Sequence, residues 1–231
     1  MTKILKSEEF INEQVVNEMG MRVRNRNIQQ RISDQLKKYN LVYNEETGLH
    51  DCNGDVKVEQ DLVSPNGKLV VKFGVVKGDF DCSYINLTSL EGAPQEVGGD
   101  FDCGENQLTS LEGAPQEVGG SFGCSNNQLI SLKGAPQEVS GSFWCRENQL
   151  TSLEGAPQVV GGRFDCGKNQ LTSLEGAPQK VGGDFKCSAN NLVFDETHFY
   201  GCLPDVIGGD LDAGLNCNYK LAKDYYRSFY N

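Results

Sequence analysis

Residues 108–128 read Leu-Thr-Ser-Leu-Glu-Gly-Ala-Pro-Gln-Glu-Val-Gly-Gly-Ser-Phe-Gly-Cys-Ser-Asn-Asn-Gln, and nearly the same phrase recurs every 21 residues. A fixed period of this length is typical of repeat proteins, in which each unit buries its apolar side chains against the next unit. The period therefore predicts a solenoid, and it assigns most of the glycines, prolines and cysteines of the chain to a repeating framework.

Apolar residues fall at fixed places in each unit and define its local structure. In Phe-x-Cys the two apolar side chains are two residues apart, which places both on one side of a short β-strand. The Ala-Pro and Gly-Gly pairs exclude a helix from the rest of the unit. Each unit is therefore expected to be a strand, a turn and an extended return, and stacked units are expected to pair their strands in parallel. The strand columns are Phe80, Phe101, Phe122, Phe143, Phe164 and Phe185, and Cys82, Cys103, Cys124, Cys145, Cys166 and Cys187.

The solenoid is predicted to occupy residues 46–214. Its units are regular over about 76–192, and the last unit, 192–214, is stretched by an inserted loop. Two departures stand inside the regular part. Ser140 replaces a glycine, and Ile85 occupies the position that holds asparagine in the later units.

Both ends of the chain lack the repeat and are predicted to be caps, because the ends of a solenoid expose unpaired strand edges. Residues 1–45 are predicted to form a helical N-terminal cap. A capped amphipathic pattern over about 7–20 is followed there by a second apolar stripe, Ile28, Ile32, Leu36 and Tyr39. Residues 215–231, which are rich in aromatic side chains, are predicted to form a short C-terminal cap.

The pattern Phe-x-Cys-x-x-Asn-x-Leu-x-x-Leu resembles the leucine-rich repeat, with Phe and Cys at the two strand leucine positions. The longer phrase, from Leu-Thr-Ser-Leu to Phe-x-Cys, is similar to the 21-residue repeats of leucine-rich-repeat-like proteins of tailed bacteriophages. The resemblance covers about residues 69–215. It implies a solenoid of short parallel β-strands with little helix in the coils, and an asparagine ladder that satisfies backbone groups at the turn. The ladder positions are Asn106, Asn127, Asn148, Asn169 and Asn190.

Composition narrows the functional classes. The chain has 231 residues and a formal net charge of −11, with an acidic repeat region and a mildly basic N-terminal segment. An acidic balance argues against a general nucleic-acid-binding protein. No apolar run is long enough for a transmembrane helix, and charged residues enter too early for a secretion signal. A cytoplasmic protein without membrane contact is therefore expected, in the host cytoplasm if the phage resemblance holds.

Catalytic and metal sites are not expected. The chain has nine cysteines and two histidines, and no cysteine has a histidine at a fixed offset to act as a base. There is no Cys-x-x-Cys pair of the kind that zinc sites use. The six repeat cysteines are predicted to be buried, reduced thiols. The sequence therefore predicts no enzyme activity, no cofactor and no small-molecule substrate.

The column that varies most between units is the outward residue of Phe-x-Cys with its flanking residues, which lies on the face where leucine-rich-repeat proteins bind their partners. The only tryptophan of the chain, Trp144, stands in this column, with Arg146 and Arg163 nearby. Tryptophan and arginine are enriched at interface hot spots. The predicted partner-binding residues are Trp144, Arg146, Arg163, Asp165, Lys186, Asp79, Asp81, Asp100 and Asp102.

These observations favour a non-enzymatic solenoid that binds a protein through its strand face. The phage resemblance implies a host or viral protein as the partner, with inhibition of a host defence or regulatory protein as one form of the function. Two alternatives stay open. The acidic array could mimic nucleic acid in a DNA- or RNA-binding groove, or the protein could be a structural component of the virion.

Overall fold

The computed structural model describes residues 26–192 and 203–212, and over these residues the chain is a parallel β-solenoid with little helix. The predicted fold class is confirmed. Each regular coil contributes one two-residue strand to each of two sides. On the strand side, eight strands form one sheet in the order β17-β15-β13-β11-β9-β7-β5-β3. These strands are β3 (Val56–Lys57), β5 (Phe80–Asp81), β7 (Phe101–Asp102), β9 (Phe122–Gly123), β11 (Phe143–Trp144), β13 (Phe164–Asp165), β15 (Phe185–Lys186) and β17 (Leu211–Asp212).

The opposite side of each coil, called here the return side, carries two separate sheets. One has the order β1-β2-β4-β6-β8 and the other has the order β10-β12-β14-β16. The return-side strands are β1 (Val42–Asn44), β2 (Leu49–Cys52), β4 (Phe73–Val76), β6 (Glu96–Val97), β8 (Glu117–Val118), β10 (Glu138–Val139), β12 (Val159–Val160), β14 (Lys180–Val181) and β16 (Val206–Ile207).

The division between β8 and β10 coincides with Ser140. Glycine occupies the equivalent position in the coils before and after Ser140. There the amide of Gly119 donates to the carbonyl of Val97, and the amide of Gly161 donates to the carbonyl of Val139, each at 2.9 Å. A Cβ at either glycine would fall inside contact distance of a carbonyl oxygen in the preceding coil. Ser140 carries that Cβ, and the return-side ladder is interrupted at its position, although the next amide, that of Gly141, still donates to the carbonyl of Gly120 at 2.8 Å.

The core consists of in-register columns. The Phe side chains are buried, and from Phe80 to Phe185 successive ring centroids lie between 5.1 and 5.8 Å apart. This spacing follows from the coil rise of about 4.8 Å that parallel pairing imposes. The Cys column from Cys82 to Cys187 is buried beside it as free thiols, which confirms the predicted position of those residues. Burial raises the pKa of the five thiols from Cys82 to Cys166.

The asparagine ladder implied by the resemblance is present. Asn148 is typical: its Nδ2 donates to the carbonyl oxygens of Cys124 at 3.0 Å and Cys145 at 3.2 Å, and its Oδ1 accepts from the amide of Leu129 at 3.0 Å. Each asparagine therefore joins two coils at the turn that follows the strand. The ladder begins at Asn106, as the isoleucine at position 85 predicts.

The N-terminal part of the solenoid is covered by α1 (Arg26–Lys38) and by an antiparallel hairpin of β1 and β2. Ile32 and Leu36 of α1 are buried, which agrees with the predicted apolar stripe. The hairpin is an addition to the predicted helical cap. It turns at Asn44, whose Oδ1 accepts from the amides of Glu46 and Thr47, and β2 pairs in parallel with β4.

Several predictions lie outside the described residues: the amphipathic helix over 7–20, the inserted loop near 194–202 and the C-terminal cap over 215–231. Within residues 26–192 and 203–212, no helix combines the length and apolar character needed to cross a membrane.

Candidate functional site: the strand face

The solvent side of the strand-side sheet, called the strand face, carries two parallel rows of side chains. The outer row holds the second residue of each strand, and the flanking row holds the residue immediately before each strand. Strand pairing places neighbours of the outer row directly beside one another, as with Trp144 and Asp165. The outer row is Lys57, Asp81, Asp102, Gly123, Trp144, Asp165, Lys186 and Asp212. The flanking row is Asp55, Asp79, Asp100, Ser121, Ser142, Arg163, Asp184 and Asp210.

Most residues of the flanking row brace the next coil, which means that the side-chain oxygen accepts a hydrogen bond from the backbone amide of the equivalent residue in that coil. The Oδ1 of Asp79 accepts from the amide of Asp100 at 2.8 Å, and the Oδ1 of Asp100 accepts from the amide of Ser121 at 2.6 Å. The serines act in the same way through Oγ, from Ser121 to the amide of Ser142 at 3.1 Å and from Ser142 to the amide of Arg163 at 3.0 Å. The row varies in residue type but retains a short side chain with an oxygen acceptor.

Arg163 departs from this rule. A guanidinium has donors only, so Arg163 cannot brace the amide of the next coil as Ser142 does. Its guanidinium instead forms an ion pair with the carboxylate of Asp184, with 2.9 Å between the nitrogen and Oδ2. Roughly half of the Arg163 side chain stays in contact with solvent.

Three aspartates of the outer row accept a hydrogen bond from a backbone amide of their own coil. In Asp81, Asp102 and Asp165 the Oδ1 accepts from the backbone amide two residues on, at 3.0, 2.8 and 3.1 Å respectively. This Asx turn fixes the chain where it leaves the strand. Trp144 has no acceptor for that bond, and the residue is 37 % exposed. Trp144 and Arg163, in adjacent coils, both lack the oxygen acceptor that aspartate or serine supplies elsewhere in their rows, and in the outer row Gly123 and Lys186 lack it too.

Arg146 follows Trp144 by two residues and is held by a neighbouring carboxylate. The Oε1 of Glu147 lies 2.8 Å from the guanidinium of Arg146 and 2.8 Å from the Nζ of Lys168. The bond from Lys168, with the charges of both cations, lowers the pKa of Glu147. The positive charges around Trp144 are therefore largely balanced by carboxylates on the same surface.

The first coils of the strand face are acidic. Asp81 and Asp102 are paired in register, and Asp79 and Asp100 flank them. Partial burial acts to raise the pKa of Asp81, but hydrogen bonds from Lys57 and Ser83 outweigh it and lower the pKa. The pKa of Asp102 is raised by its burial and by the charges of Asp81 and Asp100. Ionised Asp102 therefore carries an electrostatic cost in this position.

The structure places eight of the nine predicted partner-binding residues in the two rows of the strand face, and the ninth, Arg146, follows Trp144 by two residues, so the nine fall in two groups. Asp79, Asp81, Asp100 and Asp102 lie on two adjacent coils, and Trp144, Arg146, Arg163, Asp165 and Lys186 lie on the three coils from β11 to β15. Asp79 and Asp100 also have the bracing role described above. Gly123 was missed: it stands between the two groups in the outer row, it is buried, and the Oδ1 of Asp102 lies 2.9 Å from where its Cβ would be. The absence of a side chain at this point of a variable column was its only signal.

In the part of the chain that the structure describes, His, Cys, Asp and Glu side chains form no group of three that could hold a metal ion. The chain matches no protein-family model, no curated protein and no solved structure. The fold and the strand face therefore define the class: a parallel β-solenoid of 21-residue coils with a polar face interrupted by one exposed tryptophan.

Proposed function

We propose that this protein is a non-enzymatic binding protein that holds a protein partner on its strand face, with Trp144 as the apolar anchor. One observation carries the proposal. At Trp144 and Arg163, in adjacent coils, the chain forgoes side-chain bonds that brace other coils at the same positions. Local rules of folding tend to be broken at functional sites, where a residue is retained for another reason.

The residue types fit a binding role. Tryptophan and arginine recur among hot-spot residues because they combine a large contact area with directional hydrogen bonds. Asp165 and Lys186 continue the outer row beyond Trp144, so a partner that covers Trp144 also meets an alternating polar rim. A regular stack of coils offers this surface as a rigid platform, which reduces the ordering cost of binding.

The resemblance to repeats of tailed bacteriophage proteins suggests the biological setting. In that setting the partner is a host or viral protein in the cytoplasm of the infected bacterium, and binding inhibits a host defence or regulatory protein.

The test is partner capture combined with site-directed photocrosslinking. Wild type, Trp144→Ala and a surface control, Gln149→Ala, are compared as baits. Loss of about 2 kcal/mol or more of binding free energy in Trp144→Ala alone supports the proposal. A photocrosslinking residue at position 165, beside Trp144, should yield the same partner. Equal binding by all three baits would remove Trp144 from the interface and with it the proposed function.

A further inference from the structure

Three large apolar side chains are exposed on the coils between the two ends of the solenoid. Tyr84 is 73 % exposed and Ile130 is 65 % exposed, each more than Trp144. The other two exposed large apolar residues of the described ranges, Val42 and Val206, lie in the end strands β1 and β16. Because single exposed apolar residues are common on protein surfaces, the positions of the three relative to one another decide whether they form a site.

All three lie on or beside one edge of the solenoid. The chain turns between each strand-side strand and the ladder position that follows it, and this turn is called here the asparagine corner. Trp144 lies three residues before the corner residue of its coil, Glu147, and Ile130 lies four residues after the corner residue of its coil, Asn126. Tyr84 is itself a corner residue. The corner residues, which all have φ between 54° and 59°, are Tyr84, Glu105, Asn126, Glu147, Lys168 and Ala189.

One partner can reach all three side chains. From β5, just before Tyr84, to β11, which contains Trp144, the solenoid advances three coils, or about 14 Å. Ile130 follows β9 and therefore lies one coil before Trp144 along the axis. At about 3.3 Å per residue, Trp144 and Ile130 stand within about 10 and 13 Å of the corner, on opposite sides of it.

Tyr84 has a backbone conformation that its side chain does not favour. Its φ of 59° lies in the left-handed region, where a bulky residue is an outlier and asparagine is enriched. Asn126 adopts this conformation two coils further along the corner, with a φ of 55°. The charge of Glu105, in the next coil, raises the pKa of Tyr84, so the hydroxyl lies near that carboxylate. A strained backbone that is kept for an exposed side chain points to a role outside folding.

Ile130 also departs from its column without a benefit to folding. The equivalent residues of the other units are exposed threonines, Thr88, Thr109, Thr151 and Thr172. Isoleucine shares the branched shape of threonine but has no hydroxyl to hydrogen-bond. At 65 % exposure it buries little of its apolar surface, so the hydrophobic effect does not explain its presence.

The strand face alone is small for a protein interface. Its eight strands span about 34 Å along the axis, and the stretch from the flanking row to the Cys column is about 10 Å wide. The product, about 340 Å², is well below the roughly 800 Å² per partner that stable complexes bury. On one side the face is bounded by glycine pairs such as Gly119 and Gly120, which offer no side chains, and on the other by the corner. A partner that needs more contact area therefore extends across the corner.

We infer that the partner held by Trp144 straddles the asparagine corner, and that an apolar groove on its surface contacts Tyr84 and Ile130 as well as Trp144. The corner is convex, because the chain turns there, so a grooved surface fits it better than a flat one. Polar residues beside the corner, such as Gln149, form a rim where truncation changes binding little. This inference rests on the proposed function and specifies the shape and chemistry of the partner's surface.

Photocrosslinking tests the footprint. The probe is the protein that crosslinks at position 165 in the capture assay, identified by mass spectrometry and purified. A photocrosslinking residue at position 109, one coil before Ile130 and also beyond the corner, should yield the same protein. One at position 159, in β12 on the return side, should not. No crosslink at position 109, or equal crosslinking at 109 and 159, would overturn the inference.

Two variants remove the apolar contacts without weakening the fold. Ile130→Thr restores the residue of the neighbouring coils, and Tyr84→Asn places at the corner the residue type that Asn126 has there. Each should weaken probe binding about fivefold or more, while the urea midpoint stays at or above that of wild type. Val159→Thr makes the same kind of change on the return side and should bind like wild type. Wild-type binding by both corner variants, equal weakening by Val159→Thr, or a lower urea midpoint for Tyr84→Asn contradicts the inference.

The two proposals fail in different ways. If Trp144→Ala loses the probe while Ile130→Thr and Tyr84→Asn keep it, the partner stays on the strand face and only the inference fails. If Trp144→Ala binds like wild type, the proposed function fails whatever the corner variants do. If no protein crosslinks at position 165, both proposals fail.

Discussion

Ser142 Oγ accepts a hydrogen bond from the backbone amide of Arg163, 3.0 Å away, and Arg163 offers no acceptor in turn to the following coil. The flanking row passes this bond from coil to coil through aspartate or serine, and Asp184 resumes it toward the amide of Asp210 at 3.1 Å. Arg163 is thus a gap in a chain of braces, and it lies one coil from the exposed tryptophan.

Arg163→Ser is expected to stabilise the protein and to weaken partner binding. A serine at this place can accept from the amide of Asp184 as Ser142 does for Arg163, and a gained hydrogen bond contributes about 1 kcal/mol. Urea unfolding measures the gain, and the capture assay measures the loss. Ser142→Ala is the matched control, and it should destabilise by about 1 kcal/mol. A destabilised Arg163→Ser variant would contradict the bracing role of the row.

Ser140→Gly is expected to join the two return-side sheets. Removing the Cβ lets the amide at position 140 approach the carbonyl of Val118, as Gly119 approaches that of Val97. We expect a net gain of about 1 kcal/mol, since the new hydrogen bonds exceed the backbone entropy cost of glycine. Gly161→Ser makes the reverse change and should destabilise, because its Cβ meets the carbonyl of residue 140. Opposite signs for the two variants in denaturant unfolding are the diagnostic result.

Asn148→Ala is expected to cost about 3 kcal/mol, because it leaves the amide of Leu129 and the carbonyls of Cys124 and Cys145 without their buried partner. Gln149→Ala, at the exposed neighbouring position, should change the free energy of unfolding by less than about 0.5 kcal/mol. Similar values for the two variants would show that the ladder contributes little.

The hairpin of the N-terminal cap should make stability depend on pH. His50 is fully buried, and burial lowers its pKa from the ordinary value of 6.5, although the Lys72 carbonyl and the charge of Asp51 act in the opposite direction. The unfolded chain therefore binds a proton more readily than the folded chain. Stability should be complete above pH 6.5 and should decline as pH falls through the lower pKa of the folded state. Unfolding measured between pH 7.5 and 5 should show this slope, which His50→Gln should reduce. An unchanged slope in the variant would assign the dependence to other groups.

The stacked thiols should be unreactive in the folded protein. Burial raises the pKa of Cys103, Cys124 and Cys145, so almost no thiolate forms at neutral pH. Iodoacetamide should leave the peptides that contain these residues unlabelled until urea is added, as judged by mass spectrometry. A Cys103–Cys124 disulfide found under non-reducing conditions would contradict the assignment.

Columns with one chemical requirement were predictable from sequence. Phe, Cys and Asn each satisfy a contact that repeats in every coil, so a fixed period reveals both the residue and its role. The hairpin over Val42–Asn44 and Leu49–Cys52 was not predicted, since it occurs once and has no other unit for comparison. The return-side strands, such as β8 and β10, are two residues long and are defined by pairing between coils rather than by any local alternation.

The candidate site was predictable in position but not in all its roles. A column that varies between units suggests that folding does not constrain its residues. For this reason Asp79 and Asp100 were grouped with Trp144 as predicted partner-binding residues. Aspartate and serine differ in charge but share an oxygen acceptor, and the backbone amide requires only that oxygen. A comparison of acceptor capacity rather than residue identity would have distinguished the aspartates and serines of the flanking row from Arg163.

The interruption at Ser140 also has a mechanical consequence. The strand-side sheet runs without a break from β3 to β17, while the return side divides between β8 and β10. The strand-side sheet thus connects the coils on both sides of the joint between β8 and β10. Trp144 of β11 lies on that sheet in the first coil after the joint. Fraying should start at this joint, so the solenoid would come apart as two cooperative blocks with the tryptophan at their border.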